Sequence, residues 1–201
     1  TTIAAGTTLT LNNSAQNSDG FYRFNTQTNE FFLLENRQLV GFDAHVPGHG
    51  LLIYHADGTY INNHDGSNDI NVGSHQGLFP MSAVATTANG VSLASANKIN
   101  VTGCPWPGTS SKTSFTDATT PNSKSWAGAN TAKPITNISE NTTLKTISFD
   151  FMGGGSVATI TTSVSSLNFE NVYTGFTSRP QSYIVTGDRK STRLNPVTSL
   201  S

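Results

Sequence analysis

Cysteine, charge and long apolar runs are all scarce in this chain. A single cysteine, Cys104, stands among 201 residues, so no disulfide closes within the chain. No apolar run approaches the roughly 18 residues that read as a transmembrane helix, so no membrane span is expected. Charged residues make up only 11%, with a net charge of −1, and the Lys and Arg residues are scattered. That leaves no basic face for nucleic acid and no acidic tract for a basic partner. Gly-rich phosphate loops and the Gly-Xaa-Ser-Xaa-Gly nucleophile elbow are absent, and Cys104 sits in "GCPW" with no basic neighbour in sequence to activate its thiol.

Ser, Thr, Asn and Gly supply the polarity that charge does not, and these residues favour turns and strand surfaces over helix interiors. The expected fold class is therefore mainly β, antiparallel, with long loops. "TTLTL" and "GFYRFNT" read as strands, and the "TQTN" turn leads into "NEFFLLENRQ" as a hairpin. "GLLIYHAD" is a short continuous apolar run, as expected of a central strand buried on both faces. Residues 58–77 hold almost no apolar anchor and read as a long surface loop. "GCPWPGTSSKTSFTDATTPNSKSW" is broken by prolines and reads as an extended loop pinned by Trp106 and Trp126. "LKTISFDF" sets Leu144, Ile147, Phe149 and Phe151 against polar neighbours, and "MGGGS" ends it.

This pattern divides the chain at residues 1–152, 153–187 and 188–201. The middle part, with "VATITTSVSSLNFENV" and "QSYIVTG", suits a linker and the first strands of an immunoglobulin-like β module. The last part opens with "DRKSTRLN", which holds three of the eleven Lys and Arg residues. Those eight residues equal the translation of a common sequencing-adapter read, and dropping one base continues it as Pro-Val-Thr at 196–198. Residues 188–201 are read as a non-native tail. The abrupt start "TTIAAGTT", without Met or a signal-peptide pattern, reads as a piece of a longer protein.

Side chains with chemical potential gather between Glu35 and His75. "HVPGHG" spaces His45 and His49 as a zinc helix would, but Pro47 and Gly48 forbid the helix and Val46 stands where a catalytic Glu belongs. A turn without zinc is expected. Glu35 and Arg37 share one side of a strand and form a charge-assisted pair, read chiefly as structural. His55 and Asp57 also share a side, which leaves two readings. Either the carboxylate orients the imidazole, or His55 bonds loop backbone while Asp57 starts an Asp-Gly turn. Asp57, Asp65 and Asp69, with surrounding Asn and carbonyl oxygens, are the hard donors calcium takes in flexible loops; the alternative is a plain Asx-turn loop.

The run "NEFFLLENRQLVGFDAHVPGHGLLIYHAD" resembles the later part of the catalytic domain of immune inhibitor A-like secreted bacterial metallopeptidases. That family carries a similar "EYFLLENRQ…GWD…PGHGLLIWHVD" run. "HDGSNDINVGSHQGLFPMSAVA", "PWPGTSSKTSFTDATTPNSKSWAG" and "KPITNISEN…ISFDF" resemble the following family blocks in the same order, over about residues 7 to 152. "SSLNFENVYTGFTSRPQSYIVTG" is similar, less closely, to the start of the β modules appended to such enzymes. The resemblance implies a secreted zinc endopeptidase acting on protein or peptide substrates. It also implies that the His-Glu-Xaa-Xaa-His zinc helix lies upstream of the matching region, so that this chain alone is inactive. A second reading is a non-catalytic extracellular adhesion or carbohydrate-binding module, with Trp106 and Trp126 as aromatic platforms.

Overall fold

The computed structural model describes residues 2–89, 100–154, 161–162 and 185–186. It is mainly β and divides into two compact units, Thr1–Gly155 and Ser156–Ser201.

The first unit holds two antiparallel sheets. In chain order its elements are β1 (Thr7–Leu11), β2 (Phe21–Gln27), β3 (Glu30–Arg37), β4 (Gly50–Asp57), α1 (Gly58–His64), β5 (Leu78–Met81), β6 (Ile135–Asn141) and β7 (Thr146–Phe151). One sheet runs β2-β3-β4-β5 and the other β1-β7-β6. The β2–β3 hairpin turns at Asn29, whose φ of 63° is a left-handed conformation that asparagine tolerates better than most residues. β4 is central, paired with β3 along its length and with β5 over Ile53–Ala56, as its unbroken apolar run predicts.

Alternation decides which side chains enter the core. Phe24, Phe32, Leu34, Ile53, Phe79 and Met81 from the first sheet join Leu11, Ile135, Ile138, Ile147, Phe149 and Phe151 from the second in one apolar cluster. Leu144 departs from the expected alternation: it lies in the β6–β7 turn and is 69% exposed. Asn36 points into the core from β3 and is fully buried, yet its amide is satisfied. Nδ2 donates to the Leu11 carbonyl at 2.8 Å and to the Lys145 carbonyl at 2.9 Å, tying the two sheets together.

The long loop after β5 contributes core of its own. β5 stops at Met81, so the backbone of Leu51 has no partner strand on that side, and Trp106 fills the gap with a two-bond antiparallel bridge (2.7 and 2.9 Å). Its indole is completely buried. The approach is close enough that a Cβ on Gly50 would lie 2.5 Å from the Trp106 carbonyl, and Gly50 also holds φ at 130°.

The expectation of a surface loop over 58–77 is corrected in its first half. Residues 58–64 form α1, and a single 3-10 turn, Asp65–Ser67, follows. Asp57 is the reason: its Oδ1 accepts from Thr59 N and Tyr60 N, both at 3.0 Å, and so caps a helix rather than starting a tight turn. No α1 side chain is buried, and sequence periodicity therefore gave no sign of the helix.

In the second unit the described residues are two short strands, β8 (Thr161–Thr162) and β9 (Val185–Thr186), paired antiparallel with Thr161 opposite Thr186. The remainder of the expected immunoglobulin-like module and the tail at 188–201 lie outside the described residues. No helix among the described residues is long and apolar enough to cross a membrane.

Candidate functional site

At one end of the first sheet, the core-facing parity of β3 and β4 brings Glu30, Phe32, His55 and Asp57 to one face. Glu30 stands opposite Asp57, and Phe32 opposite His55. The carboxylate that meets His55 is Glu30, on the neighbouring strand: His55 Nε2 lies 2.7 Å from Glu30 Oε1. The same oxygen accepts from the backbone N–H of Trp126 at 2.8 Å. Both readings of His55 drawn from the sequence are therefore corrected. It bonds neither Asp57 nor loop backbone, because the diagonal neighbour across the hairpin comes within reach and Asp57 is turned to cap α1.

Around this pair the aromatic and imidazole rings form a column. Phe32 and His55 have centroids 4.4 Å apart, His55 and Trp126 5.5 Å, Trp126 and His75 4.2 Å, His75 and Tyr60 4.1 Å, and Tyr60 and His64 3.9 Å. All five pairs are stacked. The column leads outward from the buried Phe32 to the partly exposed His64. Asp57 Oδ2 lies 3.1 Å from His75 Nε2, without hydrogen-bond alignment.

A carboxylate beside an imidazole is the arrangement that poises a histidine for proton transfer. Access decides against that role here. The His55 side chain is 3% exposed and that of Glu30 9%, and the imidazole is closed by Phe32 on one side and Trp126 on the other. A general base must come within hydrogen-bond reach of a substrate proton. What the pair does is fix the Trp126 segment onto the sheet.

Glu35 and Arg37 occupy the opposite face of β3 and pair as expected. Arg37 Nη2 donates to Glu35 Oε1 at 3.0 Å and Oε2 at 3.2 Å, and Nε adds a third bond to Oε1 at 3.1 Å. Two partners not foreseen complete the network: Ser14 Oγ donates to Oε1 and Tyr54 OH to Oε2, each at 2.9 Å. Burial, then the charge of Glu35, push the Tyr54 phenol above its ordinary range. Burial works against the Arg37 charge, but Tyr54, Glu35 and Asp43 outweigh it and hold the guanidinium protonated. A cavity of about 180 Å³ opens beside Arg37, Tyr54, Leu52 and Cys104. The Cys104 thiol is pushed up to about 11 by burial, against smaller opposing effects of Ser82 and Arg37, so it is no nucleophile at neutral pH.

The calcium candidates are not brought together. Asp57 caps α1 and faces His75, Asp65 is exposed in the 3-10 turn, and Asp69 keeps one enclosed oxygen, Oδ1, without a partner. Among the described residues no three His, Cys, Asp or Glu side chains are gathered to hold a metal. His45 is exposed in the expected turn, and His49 Nδ1 is bonded to Glu140 Oε1 at 2.7 Å. The aromatic platforms of the second reading are corrected too: Trp106 is sealed in the core, and Trp126 is stacked between His55 and His75.

Ser14, Glu30, Tyr54, Glu140 and the backbone N–H of Trp126 are the partners that sequence reasoning missed. The register of the β2-β3-β4 meander was the only signal for Glu30 and Tyr54, and no local signal pointed to the other three. Comparison of the chain with protein-family models, with curated proteins and with solved structures returns no match.

Proposed function

We propose that this chain is the later part of the catalytic domain of a secreted zinc-dependent endopeptidase, followed by the start of a β module, and that it supplies framework rather than the reacting groups. The ordered series of family-like sequence blocks carries this reading. Its support from the fold is that those blocks fall on successive elements of one unit. "NEFFLLENRQ" covers β3, "GLLIYHAD" is β4, "GLFPMSAVA" contains β5, and "KPITNISEN" and "ISFDF" hold β6 and β7. The proline-broken block between them carries Trp106 and Phe115, which pack edge to face and bridge to β4 and β6, and Trp126, which packs on Phe79 of β5.

The residues present do not fit a zinc ion. His55 is enclosed with Glu30, His49 is held by Glu140, His45 is exposed in a turn, and the remaining two histidines stack on Tyr60. No step of peptide hydrolysis is therefore assigned to this chain; the metal and its helix belong, in this reading, to sequence upstream of Thr1. Two measurements test it. The reading frame upstream of Thr1 should encode a His-Glu-Xaa-Xaa-His motif, and the longer protein should cleave casein in a zinc-dependent, chelator-sensitive manner, while Thr1–Ser201 alone should not. A frame lacking that motif, or zinc-dependent cleavage by Thr1–Ser201 itself, overturns the proposal.

A further inference from the structure

The hydrogen-bond network that ties the sheets ends in a cavity outside the site described above. Gln38, 1% exposed, donates from Nε2 both to Asn36 Oδ1 at 2.8 Å and to Glu140 Oε1 at 2.9 Å. His49 reaches the same Glu140 oxygen from the other side at 2.7 Å. The Glu140 side chain is only 9% exposed, and its second oxygen, Oε2, takes no hydrogen bond from any described residue. Glu140 and His49 line a cavity of about 400 Å³ together with Leu39, Pro47, Gly108 and Thr109. That volume lies in the range of small-ligand sites, roughly 300–1,000 Å³.

We propose that this cavity binds a small organic cation with an apolar stem, an alkylguanidinium or alkylammonium of the kind an arginine or lysine side chain presents. Charge points this way: among the described lining residues Glu140 is the only acidic one and none is Lys or Arg, and Glu140 Oε2 accepts no hydrogen bond from them. A mostly buried carboxylate with one open oxygen gains most from a charged N–H donor. Leu39 and Pro47 suit an alkyl stem. A metal ion fits poorly, since one carboxylate and one committed imidazole fall short of the several oxygen or nitrogen ligands metals take. The cavity is also preformed. Its two walls touch where Gly48 and Gly108 meet the Thr102 carbonyl, and a Cβ at those glycines would come within 2.9 and 3.2 Å of that oxygen. Little ordering cost is then left to binding.

The test is NMR titration of the full chain with n-butylguanidinium, with neutral n-butylurea as the shape-matched control. Saturable shifts at His49, Gly108 and Thr109 are expected with the cation, and at least tenfold weaker binding with the urea. Glu140→Gln should weaken the cation at least tenfold while leaving the urea unchanged. Because Glu140 also takes part in the sheet-tying network, Thr109→Phe provides a second variant: Thr109 is exposed at the cavity wall, and the added ring should block binding without touching that network. Equal binding of cation and urea, binding undiminished in Thr109→Phe, or no saturable shift with the cation overturns the proposal.

Discussion

Replacing Glu30 by Ala removes one side chain and strands two donors. The Trp126 backbone N–H and His55 Nε2, both directed at Glu30 Oε1, lose their acceptor in a region where His55 is 3% exposed. A hydrogen bond to a charged group contributes about 1.5–3 kcal/mol net. The two bonds share one oxygen and are not additive, so the expected loss is about 3–5 kcal/mol. Against a typical domain stability of about 5–15 kcal/mol, that is a large share. An exposed ion pair would be worth less than about 1 kcal/mol, so the two cases separate cleanly. Urea denaturation followed by far-UV circular dichroism gives the number, and Trp126 emission should shift to the red as its segment loosens. Glu30→Gln keeps an acceptor oxygen and should lose only about 1–2 kcal/mol. A loss below about 1 kcal/mol for Glu30→Ala would show that the buried pair does not hold the Trp126 segment, and the reasoning would fail.

Three further outcomes follow from the geometry. Asn36→Ala leaves the Leu11 and Lys145 carbonyls without their donor and should cost about 2–4 kcal/mol in urea melts. Cys104, buried and with its thiol near 11, should resist a disulfide-exchange reagent at pH 8 in the folded chain and react promptly in denaturant. Burial disfavours the charge of Asp117, but the backbone N–H groups of Thr131 and Ala132 and the hydroxyls of Ser123 and Thr131 outweigh it, lowering its folded-state pKa. The stability this carboxylate contributes is present above its unfolded pKa of about 3.9 and is lost as pH falls through the lower folded value. Asp117→Asn should therefore flatten the stability profile below about pH 4, measured by thermal melts.

Strands were legible where burial leaves a period. β3, β4 and β7 carry unbroken or alternating apolar residues, and the β2–β3 hairpin is announced by its turn. α1 buries nothing, so no stripe marked it; only the Asp57 cap did, and an Asp-Gly pair fits a tight turn equally well. At the candidate site the i, i+2 rule placed Glu35 with Arg37 correctly, since that pair lies within one strand. The same rule put His55 with Asp57 and missed Glu30, because cross-strand partners depend on register, which is fixed by the whole hairpin. His49 with Glu140 and Trp126 with Glu30 join residues far apart in sequence through loops that carry no periodic pattern.

The pairing of β1 with β7 sets the order in which this protein can be made. Thr7 finds its partner only in Phe151, and Leu11 in Ile147. At ribosomal speeds of about 5–20 residues per second, the first strand waits on the order of 10 s before its partner emerges. Throughout that interval Leu9 and Leu11 have no sheet to join, and the β2-β3-β4-β5 meander, built from neighbours in sequence, can form first. Closure is then a late event on which Leu11, Phe149 and Phe151 depend together. A ribosome stalled short of Ile147 would hold a half-built core with its apolar side uncovered, the kind of nascent chain that holdase chaperones engage.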